Sequence, residues 1–361
     1  MQIFKSIRVK DVEFKNRVVM APMVLFGLPS SEAGIMGEEI LKHYLGKADT
    51  GIGLIICQAV SVTAKKMTSD GGDGLGRIGV YSDEHIRNIQ KIAEACHNKG
   101  SKFFVQLAYP SIGYSNGDTI NNLTETELEE IKNDFVRAAE RCKKAGCDGI
   151  ELHGAHNYFL NMMASPISNQ REDQYGGDIS GRLLLIKNIA EEIKQFADDH
   201  FIISYRMGWN DNLDIDIKTA QALEAMGIEM LHISSGIPNG RKLEIPEDFQ
   251  FNAIVYTGTQ IKKHVNVPVI VVNNIRTLRR GNDLLENHLC DFVAYGRPFL
   301  ADTDFMAKSL ENYDYEPCFY CKNCNWFENG KKCPAQIKAN RHNLTQSQFV
   351  GEYLKRRSEQ R

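Results

Sequence analysis

The stretch from residue 149 to residue 181 reads GIELHGAHNYFLNMMASPISNQREDQYGGDISG. It begins with a short apolar run that stops abruptly at His153, and His156 and Tyr158 follow closely. An apolar run of strand length that ends on polar side chains is typical of a buried strand with functional groups at its carboxyl end. Two histidines can donate hydrogen bonds to one oxygen atom, and a tyrosine can carry a proton. This stretch therefore predicts a reaction centre at the end of a strand.

Length and composition limit the classes of protein to consider. The chain has 361 residues, which suits two ordinary domains or one large α/β barrel with additions. It is 42% hydrophobic and 25% charged, as in a globular protein with a sizeable core. The net charge of -3 gives no support for binding to nucleic acid or to an anionic membrane. No apolar run approaches the roughly 18 residues of a membrane span, and the start lacks the layout of a signal peptide. We therefore expect a cytoplasmic protein.

Strand-like and helix-like segments alternate along the chain. Eight apolar, strand-like runs occur, at Arg17–Met23, Gly53–Cys57, Lys102–Leu107, Gly149–His153, Phe201–Met207, Met230–Ser234, Val267–Val272 and Asp291–Tyr295. Segments of helical period follow them, for example Glu84–Lys99, Glu125–Lys144 and Ser180–Asp199. Such alternation predicts parallel strands joined by crossover helices.

Eight such units favour a closed (β/α)8 TIM barrel, with an open doubly wound sheet of eight strands as the alternative. A short hairpin pattern in residues 5–15 precedes the barrel. We expect this barrel to occupy residues 1–312. A cysteine-containing C-terminal extension is expected at residues 313–361.

The residues at the predicted strand ends argue for one shared site. In a barrel the carboxyl ends of all strands converge on one face, where active sites form. The residues at these ends are Pro22, Met23, Gln58, Ala59, Gln106, His153, Arg206, Ser234, Asn273, Asn274, Gly296 and Arg297. Six of the eight ends carry side chains that form hydrogen bonds, which favours the barrel over the open sheet.

The seventh and eighth strand ends, VVNNIRT at 271–277 and AYGRPFL at 294–300, suit a phosphate group. Barrels commonly bind phosphate in these two loops through backbone N–H groups and a helix start. Arg297 supplies a planar, permanently charged side chain for such a group, although a structural salt bridge is an equal alternative. The sequence contains neither GxGxxG nor a P-loop, so neither a Rossmann site nor nucleotide hydrolysis is indicated.

Arg206, Gln106 and the histidine pair each have two interpretations. A cation at a barrel strand end needs a partner, because isolated buried charge is costly, and the N1/C2-oxygen edge of a reduced flavin would be one. Gln106 carries the donor and the acceptor that the pyrimidine edge of a flavin requires. An internal Arg–carboxylate pair and a surface amide are the alternatives. His153 and His156 would need a third protein ligand to hold a metal ion.

The chain from about Phe4 to Phe305 resembles the Old Yellow Enzyme family of FMN-dependent ene-reductases. The segments that carry the resemblance are Lys15–Met23, Gln106–Leu107, Gly149–Gly181, Ser204–Arg206 and Gly296–Arg297. Their order and their positions at strand ends make the match specific. The resemblance implies a barrel that binds FMN, with NADH or NADPH entering the same cavity as a transient reductant.

The resemblance also implies a role for each matching residue. The residues that would surround the isoalloxazine ring are Pro22, Met23, Ala59, Gln106 and Arg206. Those that would hold the phosphate are Asn273, Asn274, Gly296 and Arg297. His153 and His156 would bind the carbonyl oxygen of an α,β-unsaturated carbonyl compound, and Tyr158 would be the proton donor. Hydride would pass from reduced FMN to the β-carbon of the activated C=C bond.

Val24 departs from the family pattern. The family usually has a threonine or a cysteine after Pro22-Met23, in contact with the flavin C4 oxygen, whereas valine cannot donate a hydrogen bond. The loss of that bond should disfavour the reduced, anionic flavin. We therefore expect a shifted flavin potential.

The nine cysteines fall into two groups. Without an export signal they do not suggest a disulfide framework, and five are scattered through strand-like or helix-like segments as core thiols: Cys57, Cys96, Cys142, Cys147 and Cys290. The other four crowd together near the C-terminus: Cys318, Cys321, Cys324 and Cys333. Their spacing resembles the iron–sulfur motif of the 2,4-dienoyl-CoA reductase and trimethylamine dehydrogenase branch, but is shorter. We predict a [4Fe–4S] cluster here, with zinc or unligated thiols as alternatives.

The leading hypothesis is an NAD(P)H-dependent ene-reductase with bound FMN that acts on a small enone-type substrate. A flavin and iron–sulfur electron-transfer protein, or a demethylase-like dehydrogenase with a redox partner protein, is the second. A non-catalytic FMN barrel is the third, and the intact set of His153, His156 and Tyr158 argues against it. The natural substrate, the choice between NADH and NADPH, and the presence of a homo-oligomer stay open.

Overall fold

The computed structural model describes residues 1–31, 33–64, 77–109, 119–210, 212–238, 240 and 243–339. The part of the predicted C-terminal extension after residue 339 lies outside the described residues.

The chain begins with an antiparallel hairpin of β1 (Ile7–Val9) and β2 (Val12–Phe14). The hairpin lies within the predicted residues 5–15, and Lys10 in its turn has a positive φ of 50°. Phe14 is fully buried and packs edge-on against Phe104 and Phe292. The hairpin therefore closes the interior of the barrel at one end, in a cluster that includes apolar residues from most of the barrel strands.

Eight parallel strands form the barrel. They are β3 (Val18–Met20), β4 (Leu54–Ser61), β6 (Lys102–Ala108), β7 (Gly149–Gly154), β8 (Ile202–Trp209), β9 (Met230–Ser235), β10 (Val269–Val271) and β11 (Phe292–Tyr295). The pairing of β3 with β4, in which Val19 lies opposite Leu54, closes the ring. A short strand, β5 (Ile78–Gly79), adds to β4 in parallel. The (β/α)8 prediction is confirmed, and the open sheet is excluded.

Helices connect the strands and cover the outside of the barrel. The α-helices of the described chain are α1 (Glu38–Ala48), α2 (Ile86–His97), α3 (Glu125–Lys144), α4 (Phe159–Ala164), α5 (Ile179–Arg182), α6 (Leu184–Lys194), α7 (Leu213–Ala225), α8 (Ala253–Lys262), α9 (Leu278–Glu286), α10 (Arg297–Ala301), α11 (Phe305–Glu311) and α12 (Pro334–Ala339). Short 3-10 helices lie at Gln2–Phe4, Asp83–His85, Ile120–Asn122, Asn325–Phe327 and Gly330–Lys332. Across these described segments, no helix combines the length and the apolar character that crossing a bilayer would require.

Helix α3 shows how the sequence sets these boundaries. Its N-cap Thr124 accepts a hydrogen bond from the Glu127 amide at 3.2 Å, and the Glu127 carboxylate accepts one from the Thr124 amide at 2.8 Å. This capping box satisfies amides that have no partner inside the helix. The helix ends before Gly146, which has a φ of 81° that favours glycine.

The segment after α11, residues 313–339, packs back onto the barrel and is called the tail below. The Arg279 amide of α9 donates to the Tyr313 carbonyl oxygen at 3.0 Å, and the Arg279 guanidinium pairs with Asp314 at 2.8 Å. Further along, the Gly330 amide donates to the Phe26 carbonyl oxygen at 3.1 Å. The tail therefore contacts both α9 and the loop that follows β3.

Candidate active site

The register of β7, β8 and β9 places the predicted catalytic residues side by side. His153 lies opposite Arg206, and Arg206 lies opposite His232. After β7 the chain turns sharply, with φ of 58° at His156, whose amide donates to the Ser235 carbonyl oxygen at 3.0 Å. The turn brings the His156 side chain back over the end of β9.

The rings of His153, His156 and Tyr158 form one cluster at this end of the barrel. Tyr158 stacks on His153 with ring centres 4.2 Å apart, and His156 meets His153 edge-on at 5.2 Å. The Ser234 hydroxyl lies 2.8 Å from His156 Nε2 and accepts a hydrogen bond from Arg206 Nη2 at 3.1 Å. Ser234 thus links two of the predicted site residues. The sequence placed it at a strand end, but no role was predicted for it.

Burial keeps these groups in particular charge states. The pKa of His153 is well below its usual value, first because the side chain is buried, then because His156 and Arg206 lie nearby. The pKa of His156 is also well below its usual value because protein surrounds the ring, although part of the residue stays exposed. A neutral imidazole retains one N–H donor. Both histidines can therefore donate a hydrogen bond near neutral pH without carrying a charge.

Two polar atoms of this cluster are left without a partner. Among the described residues, His153 Nδ1 and Arg206 Nε are buried and make no hydrogen bond. Such an atom costs about 1–3 kcal/mol when nothing satisfies it. Burial also lowers the pKa of Arg206, and the neighbouring Glu151 carboxylate opposes that shift. A bound molecule with acceptor atoms could form hydrogen bonds with His153 Nδ1 and Arg206 Nε.

A buried hydrogen-bond network lies beside the cluster. Gln106 Nε2 donates to Glu151 Oε1 at 2.7 Å, and His232 Nδ1 lies 2.8 Å from Glu151 Oε2. All three side chains are almost fully buried, and burial lowers the pKa of His232. The network fixes the orientation of the Gln106 amide, whose carbonyl oxygen is a hydrogen-bond acceptor. Glu151 and His232 were not predicted as site residues, although each is a polar residue inside an apolar run.

An open cavity of about 200 Å³ lies next to this cluster. The residues that line it are Val24, Phe26, Ala59, Ser61, Arg77, Ile78, Ala108 and Tyr158. Ala59 follows an irregularity in β4, where the register with β6 shifts between Cys57 and Ala59. The cavity therefore joins Ala59, predicted to contact the flavin, to Tyr158, predicted to donate a proton.

The predicted phosphate residues lie in the loops after β10 and β11. Asn273 and Asn274 have φ of 108° and 55°, a backbone geometry that asparagine tolerates better than most residues. Asn274 Oδ1 lies 3.5 Å from Arg297 Nη2. A Cβ atom at Gly296 would lie 3.1 Å from Met23 Sδ, so the glycine permits a close approach of the loop after β3. Residues predicted for the two ends of the flavin are therefore neighbours.

The four tail cysteines line a second, small pocket of about 20 Å³, which Arg297 also lines. All four are free thiols, and Cys333 is buried. In the part of the chain that the structure describes, no three His, Cys, Asp or Glu side chains are grouped closely enough to hold a metal ion. The pocket therefore gathers the four thiols without placing them at ligand positions.

A model of the NADH:flavin oxidoreductase / NADH oxidase family matches residues 2–315 of this chain. The chain belongs to this family. The predicted relation to the Old Yellow Enzyme family is confirmed, and so is the prediction of an oxidoreductase. The donors described above fit a flavin, because Arg206 and the Gln106 oxygen offer the donor and acceptor that its pyrimidine edge needs.

The chain is similar to curated proteins that are about twice its length and to others of about its own length. It is 31% identical to an NADH oxidase of Thermoanaerobacter brockii over 349 residues, which are 90% of this chain and 52% of that protein. It is 29% identical to an NADPH dehydrogenase of Clostridium acetobutylicum over 332 residues, 86% of this chain and 94% of that protein. The chain thus spans about half the length of the first relative and nearly all of the second.

Solved structures of low sequence identity share the fold. An Old Yellow Enzyme homologue from Zymomonas mobilis superimposes with a TM-score of 0.68 at 20% identity. The match covers 91% of this chain and 98% of that one. It supports the barrel architecture alone.

Proposed function

We propose that the protein is an ene-reductase that uses bound FMN and NADH or NADPH to reduce the activated C=C bond of α,β-unsaturated carbonyl compounds. The observation that carries this proposal is the cluster of His153, His156 and Tyr158 beside the cavity at the carboxyl ends of the strands. Bound FMN supplies the hydride-transfer chemistry, and NAD(P)H restores its reduced form. The residues proposed to hold it are Pro22, Met23, Ala59, Gln106, Arg206, Asn273, Asn274, Gly296 and Arg297.

His153 and His156 are proposed to bind the carbonyl oxygen of the substrate. Two hydrogen bonds to that oxygen stabilise the negative charge that develops on it as the β-carbon accepts hydride. Because both pKa values are lowered, the donors are neutral imidazoles. Ser234 holds the His156 ring through its hydrogen bond to Nε2, which limits how far the ring can turn.

Tyr158 is proposed to deliver a proton to the α-carbon. Its ring stacks on that of His153 and contributes to the lining of the cavity. A proton donor in this position completes the reduction, because hydride and proton then reach adjacent carbons of the same double bond. A single positioned acid typically contributes about 10²–10⁴-fold to a rate.

Anaerobic NAD(P)H oxidation tests the proposed activity. FMN-loaded protein is mixed with NADH or NADPH and either an enone or the corresponding saturated ketone. We expect NAD(P)H oxidation beyond one equivalent per flavin only with the enone, and the saturated carbonyl compound as the product. Reduction of the flavin without any transfer to a panel of enones would contradict the proposal and favour a protein that passes electrons to a partner.

We also propose that Cys318, Cys321, Cys324 and Cys333 hold a metal centre, a [4Fe–4S] cluster rather than zinc. The support is that all four are free thiols around one pocket. Thiolates close together repel each other, and a cation removes that repulsion. Binding would require the tail to draw the four sulfur atoms together. A centre here would favour the alternative function, electron transfer to a redox partner.

A further inference from the structure

An aromatic side chain of the tail lies against two arginines of the barrel. The guanidinium carbon of Arg276 is 4.0 Å from the ring centre of Tyr320, and that of Arg297 is 4.3 Å from it. Arg276 follows β10, and Arg297 begins α10 after β11. The half-buried ring of Tyr320 therefore joins the tail to both loops of the proposed phosphate site.

The contact with the ring does not itself use the hydrogen-bond donors of the two arginines. A guanidinium group meets an aromatic ring with its face, whereas its N–H donors point outward in its own plane. Arg276 Nε and Arg297 Nη2 both lie near Asn274 Oδ1, at 3.3 Å and 3.5 Å. Arg276 also pairs with Glu316 of the tail at 3.1 Å. The two cations are thus oriented toward the loop at 273–274.

The backbone of Tyr320 is held in an uncommon conformation. Its φ is 49°, a left-handed value that costs a bulky residue about 1–2 kcal/mol. Its amide donates to Cys318 Sγ at 3.4 Å. Such a conformation persists only when surrounding contacts maintain it. The contacts that maintain it here are those with Cys318 and with the two arginines.

We propose that Tyr320 is a positioning residue for the FMN phosphate, so that the tail forms part of the flavin site. Its ring holds Arg297, supported by Arg276, with the N–H donors directed at the phosphate. The inference rests on the proposed FMN site at Asn273, Asn274, Gly296 and Arg297.

Titration of the apoprotein with FMN and with riboflavin, followed by flavin fluorescence, tests the inference. Riboflavin lacks the phosphate and serves as the matched ligand. We expect Tyr320→Ala and Tyr320→Leu to raise the Kd for FMN about 3- to 30-fold, the range of one partly buried cation–π contact. The Kd for riboflavin should stay within about twofold. Tyr320→Phe keeps the ring and should bind FMN as the wild type does.

Two further variants separate positioning from general structural damage. Phe327→Ala removes an exposed aromatic ring of the same tail and should leave the Kd for FMN unchanged. In an Arg297→Ala background, Tyr320→Ala should weaken FMN binding much less than in the wild type, because the two residues act together.

Three results would overturn the inference. They are an unchanged Kd for FMN in Tyr320→Leu, an equal loss for riboflavin, and full additivity with Arg297→Ala. A wild-type apoprotein that binds riboflavin and FMN equally would instead remove the proposed phosphate site itself, and the inference with it.

Discussion

Tyr158 is the residue on which the proposed protonation step depends. The Tyr158→Phe change removes only the hydroxyl group and keeps the aromatic ring that stacks on His153. We expect this change to slow the reoxidation of reduced flavin by an enone about 10²–10⁴-fold. Flavin reduction by NAD(P)H should change little, since it needs no acid. Stopped-flow absorbance measures both half-reactions, and Tyr256→Phe on α8 is the control; reoxidation at the wild-type rate would mean that another group delivers the proton.

Val24 lines the cavity with a side chain that cannot donate a hydrogen bond. Val24→Thr keeps the shape and adds a hydroxyl, which we expect to stabilise the reduced flavin by one hydrogen bond. Such a bond contributes about 0.5–1.5 kcal/mol, which corresponds to a midpoint potential higher by about 10–30 mV for two electrons. Anaerobic redox titration with indicator dyes measures the potential. Val24→Ala, which adds no donor, should show no such rise; an equal rise would point to altered packing as the cause.

At the scale of elements, periodicity and capping residues predicted most of the fold. The helix at Glu125–Lys144 was predicted with its observed ends, because a capping box and a glycine mark them. The predicted helix at Ser180–Asp199 is instead two helices that meet at Leu183. The short strand β5 was not predicted, because a two-residue strand shows no periodicity.

The proximity of candidate site residues could be predicted only where those residues are close in sequence. His153, His156 and Tyr158 lie within one strand and its following turn, so their proximity follows from the local pattern. Ser234 reaches His156 from β9, which the sequence cannot show because the contact depends on the register across three strands. The contact of Tyr320 with Arg297 depends on the path of the tail and was also not predicted.

Ser234 joins three elements of the barrel: it lies on β9 and bonds to Arg206 of β8 and to His156 in the turn after β7. Ser234→Ala removes an acceptor for Arg206 and a partner for His156. A hydrogen bond to a charged group contributes about 1.5–3 kcal/mol, so we expect kcat/KM for an enone to fall about 10- to 100-fold. Ser234→Thr keeps the hydroxyl and should retain most of the activity.

Ser309→Ala is a matched control for this prediction. Ser309 is fully buried, and its hydroxyl has no hydrogen-bond partner among the described residues. The two alanine variants thus remove the same group from a bonded and an unbonded position. Equal losses of kcat/KM in both would show that the bridge to His156 and Arg206 has no particular role.

For the whole molecule, the buried histidines predict how stability depends on pH. His153 and His232 have pKa values below the usual value of about 6.5 because they are buried. In the unfolded chain they take up protons below about pH 6.5, whereas in the folded protein they do so only at a lower pH. Stability is therefore intact above about pH 6.5 and falls as the pH drops below that value.

Urea unfolding at pH 8 and at pH 5.5 measures this difference in free energy. His153→Gln should make this difference smaller than in the wild type, because glutamine takes up no proton in either state. His200→Gln, which replaces an exposed histidine, should retain the wild-type difference. An unchanged difference in His153→Gln would mean that His153 takes up its proton in the folded protein as well.

The tail decides whether this barrel works with one redox centre or with two. Four free thiols around a single pocket predict that anaerobically purified protein contains about four iron and four sulfide per chain, as a [4Fe–4S] cluster does. Iron and sulfide analysis measures both, and broad absorbance beside the flavin bands reports the cluster. Cys324→Ser should lose iron and sulfide, whereas Cys290→Ser, at a buried thiol outside the tail, should retain them. Zinc without sulfide would identify a structural metal site instead. The absence of iron, sulfide and zinc would mean that the tail binds no metal centre.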